Sequence, residues 1–455
     1  MGVNNIRTMY WVASAGFTII MMLLAQSLGT KVSLLLVPIA AWMMWKQDVR
    51  FYPTLIMLMA VYGYHMYVYL GLSLIICIAN WKKLDLYPRV VKRLLILLLV
   101  PVPVLLVICI RNVSYFTDTL SLALEPMIMY LGVFPFFFGV LISNKFENQH
   151  ARLIIYSSLV LAAMQFIAAP TEDGEGTETI RVIFLAIPIV LSSMAYGLIN
   201  RKFLVFSLLG SSLFIYYGVV GWGNTLTMMG SGLISAALIV VLQLRMRSVV
   251  RCVNSPLPLI LSILCVAFVV MNYSKYAISA YDKSIKYEEV SNTWSRENLK
   301  LRIQMKTFDD RAVLWRACWM DVLDAPYMVP NIAMRNIDIE SAAGNTYESN
   351  LSAHNQFLQI LRTLRWGLGI FLIVGYIAVI ILGGRFLRLP LKKDAPMTPI
   401  MASTIIVGVL GSTAGHYPLM VTFSFMFTSL LGIGYGLYCR EMRLGSTCGT
   451  TNYTG

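Results

Sequence analysis

The stretch LLILLLVPVPVLLVICI, residues 94–110, contains no charged side chain over seventeen consecutive positions. Its apolar residues are continuous, so it does not fit the short alternating segments of a membrane β-barrel. A run of this length and composition is typical of a helix that crosses a lipid bilayer. Similar runs recur along most of the chain, which predicts an all-α polytopic membrane protein.

The overall composition points the same way. Of the 455 residues, 58% are hydrophobic and 13% are charged, whereas soluble domains carry about 25% charged residues. The net charge of +14 raises the possibility of nucleic acid binding. Residues 275–354, however, contain ten Lys/Arg and eleven Asp/Glu, which leaves 26 and 11 elsewhere, mostly in short loops between apolar runs. That pattern is the positive-inside distribution of a membrane protein, and it argues against a nucleic acid partner.

The basic loops predict the topology. By the positive-inside rule, seven of them are expected to be cytoplasmic: 45–50, 81–93, 144–152, 200–202, 245–251, 383–393 and 439–443. Poorly basic connections are expected on the external side, among them 113–126, 170–179 and 415–418. Alternation between the two sides predicts about 14 transmembrane helices, with both termini cytoplasmic and residues 51–80 forming a helical hairpin.

The domain organisation is one integral membrane domain, residues 1–455, interrupted by one large external loop at 275–355. Residues 444–455 are polar and are expected to be a disordered tail. Within the loop, DDRAVLWRACWMDVLDAP (309–326) predicts a helix whose apolar stripe packs on the membrane domain. The stripe consists of Leu314, Trp315, Cys318, Trp319, Val322 and Leu323. The seven cysteines form no CxxC pair and do not indicate a disulfide framework.

No nucleotide-binding, zinc-protease or serine-hydrolase motif is present. The candidate chemistry lies on the external side, where His354 carries the side chain best suited to accept a proton near neutral pH. Asn355 beside it can orient a ring or a sugar hydroxyl. A histidine at the start of a helix is alternatively a simple capping or interfacial residue.

Several arginines are also candidates on the external side. Arg311 suits bidentate binding of a phosphate, or simple pairing with nearby carboxylates. Arg316 lies on a different helix face and is the lesser candidate. Arg181 sits at the external mouth of a span, against the charge rule, either as a functional group or as a snorkelling anchor. Arg362 and Arg365 are expected at the interface or against a lipid headgroup, since a straight helix would put Arg365 about 16 Å from His354.

Two segments, 309–326 and SAHNQFLQILRTLRWGLGIF (352–371), together resemble the large external loop of the bacterial O-antigen polymerase and ligase superfamily. In that family an Arg opens a helix that ends near a Pro, and a His-Asn pair leads into a Gly-x-Gly membrane span. The matching residues occur here in the same order: Arg311, Pro326, His354, Asn355, Gly367 and Gly369.

The resemblance implies a GT-C-like fold in the bacterial inner membrane, with a periplasmic active face. It implies glycosyl transfer from an undecaprenyl-diphosphate-linked oligosaccharide, with no metal or other cofactor. Inversion at the anomeric carbon is expected, because the acceptor would displace the leaving group from the opposite side. Carried over by position, His354 is the expected catalytic base and Arg311 a contact to the diphosphate. Arg181, Asn355 and Arg316 are then expected to bind substrate.

Within the superfamily, the residues favour a repeat-unit (Wzy-type) polymerase. Ligases carry an Arg at the external end of the span that precedes the two spans flanking the large loop. This chain has Met228 or Ser231 at that place. Arg181, in an earlier external loop, and a span count nearer 14 than 12 both suit a polymerase, for which a chain-length regulator is a possible partner. The alternative is a ligase that transfers polymer to lipid A-core. A flippase or transporter is disfavoured, because the spans lack central charges and no internal repeat is visible.

Overall fold

The computed structural model describes residues 3–28, 30–61, 65–115, 120–164, 183–199, 231–240, 315, 318–323, 339–340, 346–347, 355–389, 395–414, 419 and 421–448. In these ranges the chain is helical apart from two short strands, as the all-α prediction requires. Most of the predicted external loop 275–355 lies outside the described residues. The last helix continues to Cys448, so residues 444–448 of the expected tail are helical instead.

The described part of the chain consists mainly of α-helices. They are α1 Val3–Leu28, α2 Leu36–Lys46, α3 Tyr52–Leu58, α4 His65–Ala79, α5 Arg89–Leu99, α6 Val102–Tyr115, α7 Leu120–Leu131, α8 Pro135–Ile142, α9 Asn148–Met164, α10 Ile183–Ile199, α11 Ser231–Val240, α12 Gln356–Gly384, α13 Met397–Ala414 and α14 Val421–Cys448. Residues 318–323 form a further helical segment, named here the loop helix. Short 3₁₀ helices cover Thr30–Leu35, Val49–Phe51, Trp81–Leu86, Ser143–Lys145 and Arg385–Arg388. Strands β1 (Ile339–Glu340) and β2 (Thr346–Tyr347) pair antiparallel, with Ile339 opposite Tyr347.

Three helical segments in the described part of the chain are long and apolar enough to cross a membrane. They are Arg89–Val113, Leu124–Lys145 and Gln356–Arg388. Further apolar helices of 10–17 residues accompany them. These segments support the assignment to helical membrane proteins, while the number of about 14 crossings stays a prediction.

The opening stretch, 94–110, is divided at its prolines. Helix α5 ends at Leu99 and α6 begins at Val102, on either side of Pro101. Proline lacks the N–H that would continue the helical hydrogen bonds, and its ring clashes with the preceding turn. The Tyr130 hydroxyl donates a hydrogen bond to the Leu98 carbonyl oxygen near the end of α5 (3.1 Å). This bond gives the carbonyl group a partner in an apolar environment, where water cannot provide one.

The predicted hairpin at 51–80 consists of two helices, α3 and α4, rather than one long helix. Residues 52–61 are all buried, so this segment enters the interior of the bundle. His65 begins α4, and its Nε2–H donates to the carbonyl oxygen of Leu58, the last residue of α3 (3.0 Å). This bond closes the end of α3, where the carbonyl groups have no partner within the helix.

Helices α8 and α14 make the closest approach in the bundle. A methyl group on Gly432 would overlap the carbonyl oxygen of Phe136, and one on Gly139 would overlap that of Ser429. Small residues at such crossings let two backbones pack closely, which is a main source of helix association where no water drives it.

Helices α10 and α13 are joined by hydroxyl groups in an otherwise apolar interface. Ser403 donates to the carbonyl oxygen of Pro188 (2.9 Å), and its Oγ lies 2.5 Å from the Oγ of Ser192. Both serines are fully buried. Buried hydroxyls cost free energy unless they are hydrogen-bonded, so these bonds fix how α10 and α13 pack.

The basic loops meet at one end of the bundle. Arg440 donates to the Phe146 carbonyl oxygen (3.0 Å), and the Arg443 guanidinium lies 5.6 Å from the centre of the Tyr87 ring. Three loops assigned to the same side by their charge are therefore together: 81–93, 144–152 and 439–443. The start of α12 belongs to a different group of contacts, which forms the candidate site.

Candidate functional site

The loop helix packs against the first part of α12, and charged side chains with little exposure form the contact. Arg362 Nε is 3.5 Å from Asp321 Oδ2, and Arg365 Nη1 is 3.5 Å from the same oxygen. Arg365 Nη1 also donates to the Asp321 main-chain oxygen at 2.9 Å, which is the shortest of these contacts. One residue of the loop helix thus holds two arginines of α12.

Four contacts hold the loop helix beside the first part of α12. Cys318 contacts Arg362, and Asp321 contacts both Arg362 and Arg365. The rings of Trp319 and Trp366 meet edge to face, with centroids 5.7 Å apart. The partners are 41 to 47 residues apart in sequence, so the two segments pack side by side.

The contact between the loop helix (318–323) and the first part of α12, named here the seam, is shielded from water. The side chains of Arg362, Arg365 and Asp321 are 15%, 11% and 6% exposed. Glu125 of α7 lies near Arg362, but its burial disfavours the ionised carboxylate. Asp321 is therefore the carboxylate on which the pairing of the two arginines depends. Burial also raises the pKa of the Cys318 thiol, and Arg362 opposes that shift.

The backbone of α12 is kinked at Arg365. This residue has φ 56° and ψ −176°, so the helical path is interrupted there and resumes at Trp366. A non-glycine residue in such a conformation costs about 1–3 kcal/mol and persists only where its surroundings hold it. The two contacts of Arg365 with Asp321 stabilise this backbone conformation.

The start of α12 combines a cap with a buried amide. Asn355 has extended backbone angles, and its Oδ1 accepts a hydrogen bond from the Leu358 N–H (3.1 Å), as a helix N-cap does. Gln356 is fully buried, and its Oε1 accepts from the Leu419 N–H (3.2 Å). Gln356 Nε2, by contrast, is buried without a hydrogen-bond partner.

Of the site residues predicted from sequence, the structure describes Asn355 alone. His354, Arg311, Arg316 and Arg181 lie outside the described residues, so their roles stay predictions. Asn355 is half-buried and caps α12, and its expected role in binding substrate stays a prediction.

The apolar stripe of the loop helix is only partly buried, although it was expected to pack on the membrane domain. Cys318 and Val322 are buried, whereas Trp319 and Leu323 are 40% and 46% exposed. Packing on the membrane domain is thus confirmed for the central positions. Trp319 still contacts Trp366 at the edge of the seam.

The expectation that Arg362 and Arg365 lie at the interface or against lipid headgroups stays a prediction. Their side chains are 15% and 11% exposed, and both contact Asp321. Sequence reasoning also missed Asp321, Glu125 and Gln356. The available signals were an acidic residue beside a buried stripe and an amide directly after the His-Asn pair.

Metal binding has no support in the described ranges, where no three His, Cys, Asp or Glu side chains cluster as ligands would. Independence of metal and other cofactors stays a prediction. No protein-family model matches the chain, and no curated protein shows significant similarity to it. The case for a function therefore depends on the residues and the seam alone.

Proposed function

We propose that the protein is an O-antigen repeat-unit polymerase, a glycosyltransferase that joins undecaprenyl-diphosphate-linked oligosaccharides. In this proposal the site faces the periplasm of the bacterial inner membrane. About 14 spans with a GT-C-like arrangement surround it, and both termini are cytoplasmic. The observation that carries the proposal is the seam between the loop helix and α12, because it joins the two segments on which the resemblance depends.

The contacts of the seam support one composite site. Cys318 contacts Arg362 and Asp321 contacts Arg365 at an offset of 44, and Asp321 also contacts Arg362 at an offset of 41. In this proposal the two segments run parallel, and an offset of 44 continued toward the N-terminal side pairs position 311 with position 355. Arg311 would then stand beside Asn355 and one residue from His354. The proposal is that the register continues in this way.

The arginines of the seam are not free to bind the diphosphate in this scheme. Arg362 and Arg365 are already paired with Asp321, and Glu125 lies near Arg362. Their role is to hold the loop helix on α12. The positive charge toward the substrate comes from Arg311, with Arg181 and Arg316 as further contacts, because a guanidinium fork matches phosphate oxygens.

The reaction needs no external energy source, since the donor already carries a good leaving group. The hydroxyl oxygen of the acceptor sugar attacks the anomeric carbon of the donor and forms the new glycosidic bond. The bond from that carbon to the diphosphate oxygen breaks, and the diphosphate keeps the electron pair. The proton of the hydroxyl passes to His354. Arginines placed where negative charge develops on the leaving group lower the barrier.

The test is the lipopolysaccharide banding pattern of a strain that lacks this chain. We expect single repeat units on core and no longer polymer, with the full ladder restored by the wild-type chain. Lipid-linked polymer that accumulates with no O-antigen on core would instead identify a ligase. Units retained on the cytoplasmic side would identify a flippase. A ladder that is unchanged without the chain would contradict the proposal.

A further inference from the structure

One face of α5 changes from charged to apolar along its length. Arg89, Arg93, Ile96 and Val100 are all exposed, the last two by 50% and 61%. At about 100° per residue these four positions fall within a sector about 60° wide, so they lie in one row. The side chains buried in the bundle belong to the opposite face: Val91, Leu94, Leu95 and Leu98. The exposed row, named here the α5 stripe, therefore presents two guanidinium groups followed by apolar side chains.

The α5 stripe begins at the end of a candidate membrane span. Arg89 is the first residue of the segment Arg89–Val113, which is long and apolar enough to cross a membrane. This end of the span belongs to the group of three loops that meet at one end of the bundle, 81–93, 144–152 and 439–443. Together these loops contain nine Lys/Arg and three Asp/Glu, a net charge of +6. Basic residues beside the end of a membrane helix attract anionic lipid headgroups.

The charge of Lys92 is compensated within the protein, whereas the arginines of the α5 stripe are exposed. Lys92 Nζ lies 2.5 Å from Asp85 Oδ1 and 5.1 Å from the centre of the Trp81 ring. The first turn of α5 contains no acidic residue, and the positive end of the helix dipole lies there as well. Arg89 and Arg93 thus add positive charge where the helix already disfavours it. A bound anion beside them reduces that repulsion, so charge complementarity favours an anionic ligand.

We propose that the α5 stripe binds an anionic phospholipid, with its phosphate against Arg89 and Arg93 and one acyl chain along Ile96 and Val100. The two arginines are about 6 Å apart along the helix axis, so both side chains can reach one phosphate group. A guanidinium fork matches phosphate oxygens. The inference needs only the assignment to helical membrane proteins and is independent of the proposed function.

The order of the side chains favours a lipid over a soluble phosphate. Apolar side chains follow Arg93 within one helical turn and continue to Val100, about 10 Å further along the axis. In a phospholipid the acyl chains follow the phosphate in the same way. A soluble phosphate would use the arginines alone and would leave Ile96 and Val100 without a role in binding.

The test is the binding of phosphatidylglycerol to the purified full-length chain in detergent, measured by native mass spectrometry. Replacing both arginines, Arg89→Gln with Arg93→Gln, is expected to weaken binding at least about 10-fold, because both cationic contacts to the phosphate are lost. Arg89→Lys with Arg93→Lys keeps the charge without the planar fork, so we expect intermediate binding. Both positions are exposed, and the melting temperature without lipid is expected to match that of wild type. The lysine variant gives the comparison should the glutamine variant lose stability.

A matched variant removes the same charge elsewhere on the same side. Lys46 and Arg388 are exposed residues of two other loops that the basic pattern predicts to be cytoplasmic. Lys46→Gln with Arg388→Gln is expected to bind phosphatidylglycerol as wild type does. Two further ligands separate the parts of the lipid: phosphatidylcholine has no net charge, and sn-glycerol 3-phosphate has no acyl chains. Each is expected to bind wild type at least about 10-fold more weakly than phosphatidylglycerol.

Three results would overturn the inference. Equal affinity for phosphatidylglycerol in wild type and in both arginine variants would exclude the α5 stripe as its site. Equal losses in the glutamine variant of α5 and in the matched variant would show that only the total charge matters. Binding of sn-glycerol 3-phosphate as tightly as the lipid would identify a site for a soluble anion. None of these results changes the expected lipopolysaccharide ladder, so a failure of this inference is distinct from a failure of the proposed function.

Discussion

Replacing His354 with alanine is expected to abolish long polymer while the protein stays in the membrane at its normal level. Loss of a general base slows proton transfer by about 10²–10⁴-fold, which is enough to reduce a ladder to single units. Arg311→Ala is expected to have the same phenotype, because the diphosphate would lose its positive partner. The measurement is the banding pattern of lipopolysaccharide, together with the rate of polymer formation by the purified variants.

A conservative substitution provides the control for Arg311. Arg311→Lys keeps the charge but loses the planar fork, so we expect activity between that of wild type and Arg311→Ala. His416→Ala changes the histidine of the connection 415–418, which the basic-loop pattern also predicts to be external, and is expected to leave the ladder intact. Normal polymer from both His354→Ala and Arg311→Ala would reject the proposed mechanism.

Asp321→Asn is expected to produce the largest loss of stability among the substitutions considered. It removes a carboxylate that contacts both Arg362 and Arg365, whose side chains are 15% and 11% exposed. Breaking a buried ion pair from one side costs about 3–5 kcal/mol, since a charge is left uncompensated. The contacts of 3.5 Å are long, so we expect about 3 kcal/mol. The free energy of unfolding in mixed detergent micelles measures this loss.

An exposed ion pair in the same chain is the matched control. Asp48 pairs with Arg50, whose side chain is 60% exposed. Asp48→Asn keeps an oxygen for the Arg50 N–H and is expected to cost at most about 1 kcal/mol. Arg362→Gln should cost less in the Asp321→Asn background than in wild type, because the two residues interact. Equal losses from Asp321→Asn and Asp48→Asn would contradict the buried seam.

The helices themselves could be predicted where local signals decide them. The apolar run at 397–414 predicts a span with the bounds that α13 has in the structure. It follows a basic, Pro-containing connection and precedes the polar turn at 415–418. The separation of α5 from α6 follows from Pro101, whose effect on a helix is local. In such places composition and backbone chemistry are sufficient.

The seam could not be predicted, because it depends on contacts between distant residues. Nothing around Asp321 indicates that two arginines 41 and 44 residues later will surround it. The kink at Arg365 has no sequence signal either, since arginine does not favour a positive φ. Gln356 looks like one more polar residue at a helix start until the Leu419 N–H orients its amide.

The central claim is that the loop helix carries position 311 to the start of α12. The most direct measurement is cross-linking in a variant whose seven native cysteines are replaced. Cysteines at 311 and 355 are treated with a short bis-maleimide and compared with cysteines at 316 and 355. In a helix that continues from 318–323 back to 311, position 316 would lie about 140° further around the helix axis. We predict an efficient cross-link for the first pair and little for the second. Equal yields, or a cross-link from 316 alone, would contradict the claim.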